Sequence, residues 1–412
     1  MSLPDSAPPP ARRPQVALLT REFPPEVYGG AGVHVEHLAV ALTHHVDVAV
    51  HCFGQPRSSP LVAGAYRPWD ALEGDAPPLS ALRTVSVDLR MAAAAEDADL
   101  VHSHTWYTNL AGHFAKLLHG IPHVVTSHSL EPLRPWKREQ LGGGYDVAAF
   151  CERTAVEAAD AVVAVSAGMR ADMLACYPAV DPDRVEVIHN GVDADAYRPH
   201  PGTDALLRHG IDADRPCVVF VGRVTRQKGL PYLLDAAEHL DRDVQLVLCA
   251  GEPDTPQIAA EVRDHVERLR GGRHGIVWIE QMLDRADVVQ ILSHASVFVC
   301  PSVYEPFGLV NLEAMACEAP VVATATGGVP EIVVDGETGR LVPFEPSSTS
   351  DGGPADRGRF ALDLAAAIRD VLSDPARAAA MGRAGRQRVL ERFTWGTVAV
   401  RTAALYRRLL AG

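Results

Sequence analysis

Ser296-Val297-Phe298-Val299-Cys300, then four residues, then Glu305-Pro306-Phe307-Gly308-Leu309-Val310-Asn311-Leu312-Glu313 is the stretch that decides how this chain is read. A β-branched run gives way to a segment whose helix is expected to begin between the two glutamates, which makes a strand, a loop and a helix. Free backbone N–H groups and the positive dipole end at such a helix start favour a phosphate near Gly308 and Leu309. Glycine there removes the side chain that would block a close approach. Glu305 precedes the helix, and Glu313 lies about 7 Å along it at the usual rise. Two acceptor-only carboxylates are thus offered to hydroxyls on either side of a diphosphate, so the segment suits a sugar nucleotide.

Working outward, short β-branched runs alternate with helix-length segments from Gln15 onward, as parallel α/β units require. Strands are expected at 16–19, 46–50, 100–102, 123–126, 161–165 and 185–188, and again at 217–221, 245–250, 276–279, 297–300 and 321–324. Residues 190–215 are rich in Asp, Pro and Gly and suit a linker. The expectation is therefore α/β, with two Rossmann-like, doubly wound parallel-sheet domains, 15–190 and 215–390, joined by 191–214. Ligands in such sheets bind beyond the carboxyl ends of the strands, so the domains are expected to face a central cleft. Residues 1–14 are expected to be a disordered tail. Residues 360–412 read as consecutive helices, the last of which (391–412) is expected to cross back to the first domain. Residues 54–82 are proline-rich and read as a long surface excursion, and 346–356 as a mobile loop.

At 412 residues, 47% hydrophobic and 22% charged, the chain can bury sizeable cores. Its formal net charge of −14 argues against nucleic acid or an anionic bilayer as partner, since both reward basic surfaces. Seven cysteines fall singly in apolar contexts without a C-x-x-C pair, as in a reduced cytoplasmic protein. No run of 18 apolar residues would span a membrane, and no stable membrane association is expected.

Two loops supply further chemistry. After the first strand, Glu22-Phe23-Pro24-Pro25-Glu26-Val27-Tyr28-Gly29-Gly30-Ala31-Gly32 precedes a helical pattern, a glycine-rich approach to phosphate that places Gly29 and Gly30 on the donor side. In the second half, Gly222-Arg223-Val224-Thr225-Arg226-Gln227-Lys228-Gly229 sets an arginine fork and a lysine point charge five residues apart before a helix. Arg223 and Lys228 are expected to clamp the diphosphate, and to stabilise it more as charge develops on the departing nucleotide.

Gly-Arg-x5-Lys-Gly, Glu-Pro-Phe-Gly-Leu-x3-Glu and Gly327-Gly328-Val329-Pro330-Glu331, in this order, resemble the retaining glycosyltransferases of family 4, over nearly the whole chain from Gln15. The resemblance implies the GT-B fold, with the donor held mainly by the C-terminal domain. It implies that Glu305 contacts the donor sugar, that Glu313 holds the ribose, that Arg223 and Lys228 take the diphosphate, and that Phe307, Gly308 and Leu309 line the donor site. Val101-His102-Ser103-His104-Thr105-Trp106 is similar to the His-x-His-x-Trp segment of bacterial glycogen synthases, whose second histidine lies against the transferred sugar; His104 carries over. The chain departs from those enzymes at Tyr28-Gly29-Gly30, where they have Lys-x-Gly-Gly, and at Glu313. Ser127 to Tyr145 resembles the actinobacterial glycogen synthase-like group, whose members make α-maltose 1-phosphate from ADP-glucose and glucose 1-phosphate.

Within that run, Arg134, Lys137 and Arg138 cluster around Trp136 in an otherwise acidic chain. Arg134 and Lys137 are expected to bind an acceptor phosphate and Trp136 to offer an apolar face to a sugar, with Tyr28 and His128 counted on the same acceptor side. Two carboxylates alone would also suit a glycoside hydrolase, but a hydrolase has no use for a cationic clamp and a phosphate-directed helix start. The Asp-x-Asp triplets 193–195 and 212–214 fall in the linker and read as turn formers. His102, His104 and His128 have no accompanying cysteine, so no metal and no cofactor are expected. The reading, its donor resting on the resemblance, is a cytoplasmic retaining α-1,4-glucosyltransferase of glycogen metabolism that acts on a sugar nucleotide, ADP-glucose, and a sugar phosphate, glucose 1-phosphate. Elongation of an α-glucan is the alternative, ahead of a lipid-directed relative or a non-catalytic sugar-nucleotide sensor. A homo-oligomer is compatible with this reading.

Overall fold

The computed structural model describes residues 12–27, 29–74, 77–134, 137–138, 142–251, 253–347 and 352–411. The tail 1–11, Tyr28 and Trp136 lie outside the described residues. Among the described residues thirteen strands form two sheets. The first sheet takes β1 (Gln15–Thr20), β2 (Asp47–Phe53), β3 (Val62–Tyr66), β4 (Leu100–His104), β5 (His123–Ser127), β6 (Ala161–Ala164) and β7 (Val185–Val187), ordered β3-β2-β1-β4-β5-β6-β7. The second takes β8 (Cys217–Val221), β9 (Gln245–Cys249), β10 (Ile276–Ile279), β11 (Val297–Cys300), β12 (Val321–Thr324) and β13 (Gly339–Val342), ordered β10-β9-β8-β11-β12-β13. The ladders joining β3 through β5, and all those of the second sheet, are parallel.

Each order reverses once, between β1 and β4 in the first sheet and between β8 and β11 in the second. At such a switch point neighbouring loops leave the sheet in opposite directions and open a crevice at the strands' carboxyl ends. Strands buried on both faces must read as continuous apolar runs. That is why Val218, Val219 and Phe220 of β8 and Val297, Phe298 and Val299 of β11 have at most 2% of their surface exposed. The core of the second unit adds Leu234, Leu248, Val262 and Leu364 from the flanking strands and helices.

The chain divides into two compact units. One comprises residues 1–126, 150–162 and 399–412, and the other residues 127–149 and 163–398. Helix Trp395–Ala411 contributes Tyr406, fully buried in the first unit, whose phenol oxygen lies 2.6 Å from His102 Nδ1.

Three expectations need correction. Residues 62–66, read as part of a surface excursion, form β3 and pair with β2. Ala63-Gly64-Ala65 carry almost no β-branched signal, and the strand is held by one neighbour and by the Tyr66 phenol, 2.8 Å from His51 Nδ1. The linker contains a short helix, Asp204–Arg208, and Gly339–Val342 adds an edge strand to the second sheet. Among the described residues no helix is long and apolar enough to cross a membrane. All seven cysteines are free thiols.

Candidate functional site

The switch point of the second sheet gathers the residues read as a donor site. Loops after β8 and β11 leave adjacent strands, so Lys228 Nζ comes within 2.7 Å of Glu305 Oε2 although 77 positions separate them. Ser302 Oγ donates to the same carboxylate oxygen at 3.1 Å. The loop is fixed from below: Thr225 Oγ1 accepts from Lys228 N at 3.1 Å, and the Gln227 carbonyl accepts from Val303 N at 2.9 Å. Burial pulls the Lys228 ammonium down, but the Glu305 carboxylate, with Cys300 and Glu313 adding to it, more than reverses this and leaves its pKa raised. Arg223 turns to Asp254, with Nη2 2.5 Å from Oδ1. The two presumed clamp cations therefore each rest on a carboxylate, and neither partnership could be read from spacing.

Glycines set the backbone around this pair. Gly229 caps helix Leu230–Ala237 at φ +68°, and a Cβ there would stand 1.9 Å from the Pro301 carbonyl oxygen. Gly308, at φ +104°, precedes helix Leu309–Ala316, so the helix begins where the sequence placed it and its free N–H groups follow Phe307. Glu313 lies in the second turn of that helix. Burial pushes its pKa up to about 7 despite a hydrogen bond with the Tyr197 phenol.

The Gly327-Gly328-Val329-Pro330-Glu331 segment proves to be a support for Glu305. Gly328 N donates to the Glu305 carbonyl at 3.0 Å, and a Cβ on Gly327 (φ +54°) would stand 2.0 Å from that oxygen. Glu331 caps another helix, Ala167–Cys176, by accepting from Ala167 N at 2.9 Å and Gly168 N at 3.0 Å. His189 Nε2 lies 2.8 Å from the same carboxylate while its ring stacks on Phe307 at 5.6 Å. Ser166 Oγ closes the circuit by donating to the Pro306 carbonyl at 2.7 Å.

The loop that follows β5 reaches the same place. Leu130 N donates to the Tyr304 hydroxyl at 3.3 Å, next to Glu305. Arg134 Nη1 donates to Ser129 Oγ at 3.0 Å and lies 3.6 Å from the buried Glu131 carboxylate. Lys137 is brought down to about 8, chiefly by burial and then by the charge of Arg134, with Arg223 adding to it and Glu131 and Asp254 opposing. The electrostatic neighbours of Lys137 thus include both members of the Arg223–Asp254 pair. His128 is half-buried in this loop.

In the first unit, Gly29 N donates to Glu22 Oε2 at 2.9 Å, and a Cβ on Gly32 would collide with the Glu22 side chain at 2.6 Å. The glycine-rich turn is therefore wrapped around Glu22, which spacing did not single out. His104 ends β4, 1% exposed, with its ring 4.3 Å from that of His102 and 5.3 Å from that of His34. Thr105 follows at φ +67°, a β-branched residue in the left-handed region. Strain of this kind persists only where surrounding structure enforces it, and it concentrates at functional positions. Thr108 braces it: its hydroxyl accepts from His104 N at 3.2 Å and lies 2.9 Å from the His104 carbonyl and 3.1 Å from that of Leu19, so its one proton goes to either.

The pattern described as Glycosyltransferase Family 4 matches residues 28–196, and that described as Glycosyl transferases group 1 matches residues 206–352. Two parallel-sheet Rossmann-like units of this kind define a GT-B glycosyltransferase, and the chain belongs to the family 4 glycosyltransferases. It is 54% identical over 400 residues to the α-maltose-1-phosphate synthase of Mycolicibacterium smegmatis, spanning 96% of this chain and all of that one. It is 30% identical over 429 residues to the glycogen synthase of Mycobacterium tuberculosis, spanning 95% and 94%. Among solved structures, the sucrose-phosphate synthase of Thermosynechococcus elongatus shares the fold with a TM-score of 0.79 at 27% identity, covering 97% of this chain and all of that one.

Proposed function

We propose that the protein is a retaining α-1,4-glucosyltransferase that moves glucose from ADP-glucose to glucose 1-phosphate, giving α-maltose 1-phosphate and ADP. The observation that carries the acceptor is the gathering of Arg134 and Lys137 beside Arg223 in an acidic chain, on the loop that also contacts Tyr304. A second group of cations beside the diphosphate clamp suits an acceptor that is itself phosphorylated. The similarity to α-maltose-1-phosphate synthase supports the same product.

In this reading Arg223 and Lys228 hold the diphosphate, Glu305 the donor sugar hydroxyls and Glu313 the ribose. Gly308 and Leu309 bring helix N–H groups to the phosphate, and His104 lies against the transferred sugar. The acceptor's 4-hydroxyl attacks the anomeric carbon from the face that ADP leaves. The bond from that carbon to the phosphate oxygen breaks, and the departing oxygen takes the hydroxyl proton. No protein nucleophile is required; the side chains position partners and stabilise developing charge. No step uses a metal. Free cysteines throughout fit a reducing compartment such as the cytoplasm.

The test is an end-point assay offering ADP-, UDP- and GDP-glucose against glucose 1-phosphate and against glycogen, with products identified by mass and anomeric configuration. A disaccharide monophosphate of α configuration from ADP-glucose is expected. Glucose incorporation into glycogen with none into glucose 1-phosphate would establish chain elongation instead.

A further inference from the structure

Tyr197 stands in the segment between β7 and helix Asp204–Arg208, and its phenol hydrogen-bonds the Glu313 carboxylate. Its backbone is tied at both ends. The N–H donates to the Asp193 carbonyl at 2.8 Å, and the carbonyl accepts from Arg386 Nη1 at 3.2 Å. The same Arg386 nitrogen donates to the Ala316 carbonyl at the end of the helix that carries Glu313, and Arg386 Nη2 reaches the Ala194 carbonyl at 3.5 Å. One guanidinium therefore fixes the Tyr197 backbone relative to helix Leu309–Ala316, and the phenol spans the remaining gap to the carboxylate in the middle of that helix.

This arrangement does more than fill space. A phenylalanine would occupy the same volume but could not offer a donor to a buried carboxylate. A carboxylate with two oxygens can accept several hydrogen bonds, so a donor on one oxygen orients the group and leaves the other open. Of the neighbouring charges, Lys228 hydrogen-bonds Glu305 and reaches Glu313 by its charge alone, and Arg285 acts on the phenol. Among the described residues, Tyr197 is thus the side-chain hydrogen-bond donor set against Glu313.

We infer that Tyr197, held by Arg386, is the positioning residue that orients Glu313 toward the ribose diol of the nucleotide. The inference rests on the reading of Glu313 as the ribose ligand. A positioning role differs from a packing role in one respect: loss of the phenol weakens only the part of binding that depends on the ribose hydroxyls.

The test is calorimetric titration of the full-length protein with ADP or UDP, whichever the wild type binds more tightly, and with its 2′,3′-dideoxy counterpart. The wild type is expected to bind the dideoxy nucleotide about tenfold more weakly, as for lost hydrogen bonds to a charged group. In Tyr197→Phe the intact nucleotide should weaken by about fivefold and the dideoxy penalty should shrink to about twofold, because the two losses are coupled. Equal weakening of both nucleotides, or wild-type binding of both, would overturn the inference. Glu313→Gln separates the two ideas. If it leaves the full dideoxy penalty in place, the ribose reading of Glu313 fails; if it abolishes the penalty while Tyr197→Phe does not, only the role of Tyr197 fails.

Discussion

Lys228 Nζ lies 2.7 Å from Glu305 Oε2, so the cation read as a phosphate clamp and the carboxylate read as a sugar ligand form one pair at the switch point of the second sheet. Glu305 favours the charged form of Lys228, and a diphosphate drawn to Lys228 is brought beside Glu305. Lys228→Met should therefore cost about 2 kcal/mol in urea unfolding, because it leaves a carboxylate with 7% of its side chain exposed and, among the described residues, Ser302 as its side-chain donor. Glu305→Gln keeps the shape. Its turnover should fall about a hundredfold or more while ADP affinity changes by less than about threefold. Collapse of nucleotide affinity would remove Glu305 from the sugar.

Glu313 should make the protein pay for its site in a defined pH range. Its pKa of about 7 in the fold stands above the usual 4.5, so the folded state holds the proton more tightly. The associated stability is fully present below 4.5 and is lost as the pH rises through 7. Glu313→Gln should consequently gain stability over the wild type between these limits, levelling off above them at about 3 kcal/mol. Chemical denaturation of both proteins at pH 5, 6, 7 and 8 checks this. A constant difference across the series would show that burial does not govern Glu313.

Lys137 sets the opposite limb for the acceptor. With its pKa brought down to about 8, it loses its charge as the pH rises through that value. An anionic phosphate favours the charged form, so the KM for glucose 1-phosphate should be flat near neutrality and rise above pH 8. In Lys137→Arg the rise should disappear, since arginine stays protonated. The donor KM measured in parallel serves as the internal control.

Gly327→Ala is expected to damage turnover through the backbone. The new Cβ would meet the Glu305 carbonyl at 2.0 Å in a left-handed conformation, so the loop must shift. A stability loss of about 2 kcal/mol or more is expected, together with a kcat loss larger than the change in nucleotide affinity. An unchanged kcat in the folded variant would show that Glu305 tolerates displacement.

Much of this was legible in the chain because parallel strands buried on both faces must be apolar throughout. Val297 to Cys300 and Cys217 to Val221 announce themselves in that way, and Gly308 marks the helix start that follows. Val62–Tyr66 did not, since Ala-Gly-Ala has the composition of a turn and its pairing depends on β2. The site divides along the same line. Residues brought in by motif spacing, Arg223, Lys228, Glu305 and Glu313, could be named in advance. Their partners Asp254, Ser302 and Tyr197 could not, because adjacency across a sheet or from a linker leaves no periodic trace. The role of Gly327-Gly328 as a rest for the Glu305 carbonyl likewise depends on β11 and β12 being neighbours.

The bond between His102 and Tyr406 joins residues 304 positions apart. During synthesis, β4 emerges long before the helix that satisfies it, and all the strands of the second sheet are made in between. Until then His102 keeps its hydrogen bond with Thr126, at 2.7 Å, in a setting where burial strongly disfavours its charged form. The first unit must therefore wait, partly assembled, while the second is able to mature. A fragment ending before residue 399 would expose the buried surface that Tyr406 covers, and its aggregation on the ribosome or in isolation would be a matter of chain order rather than of weak sequence.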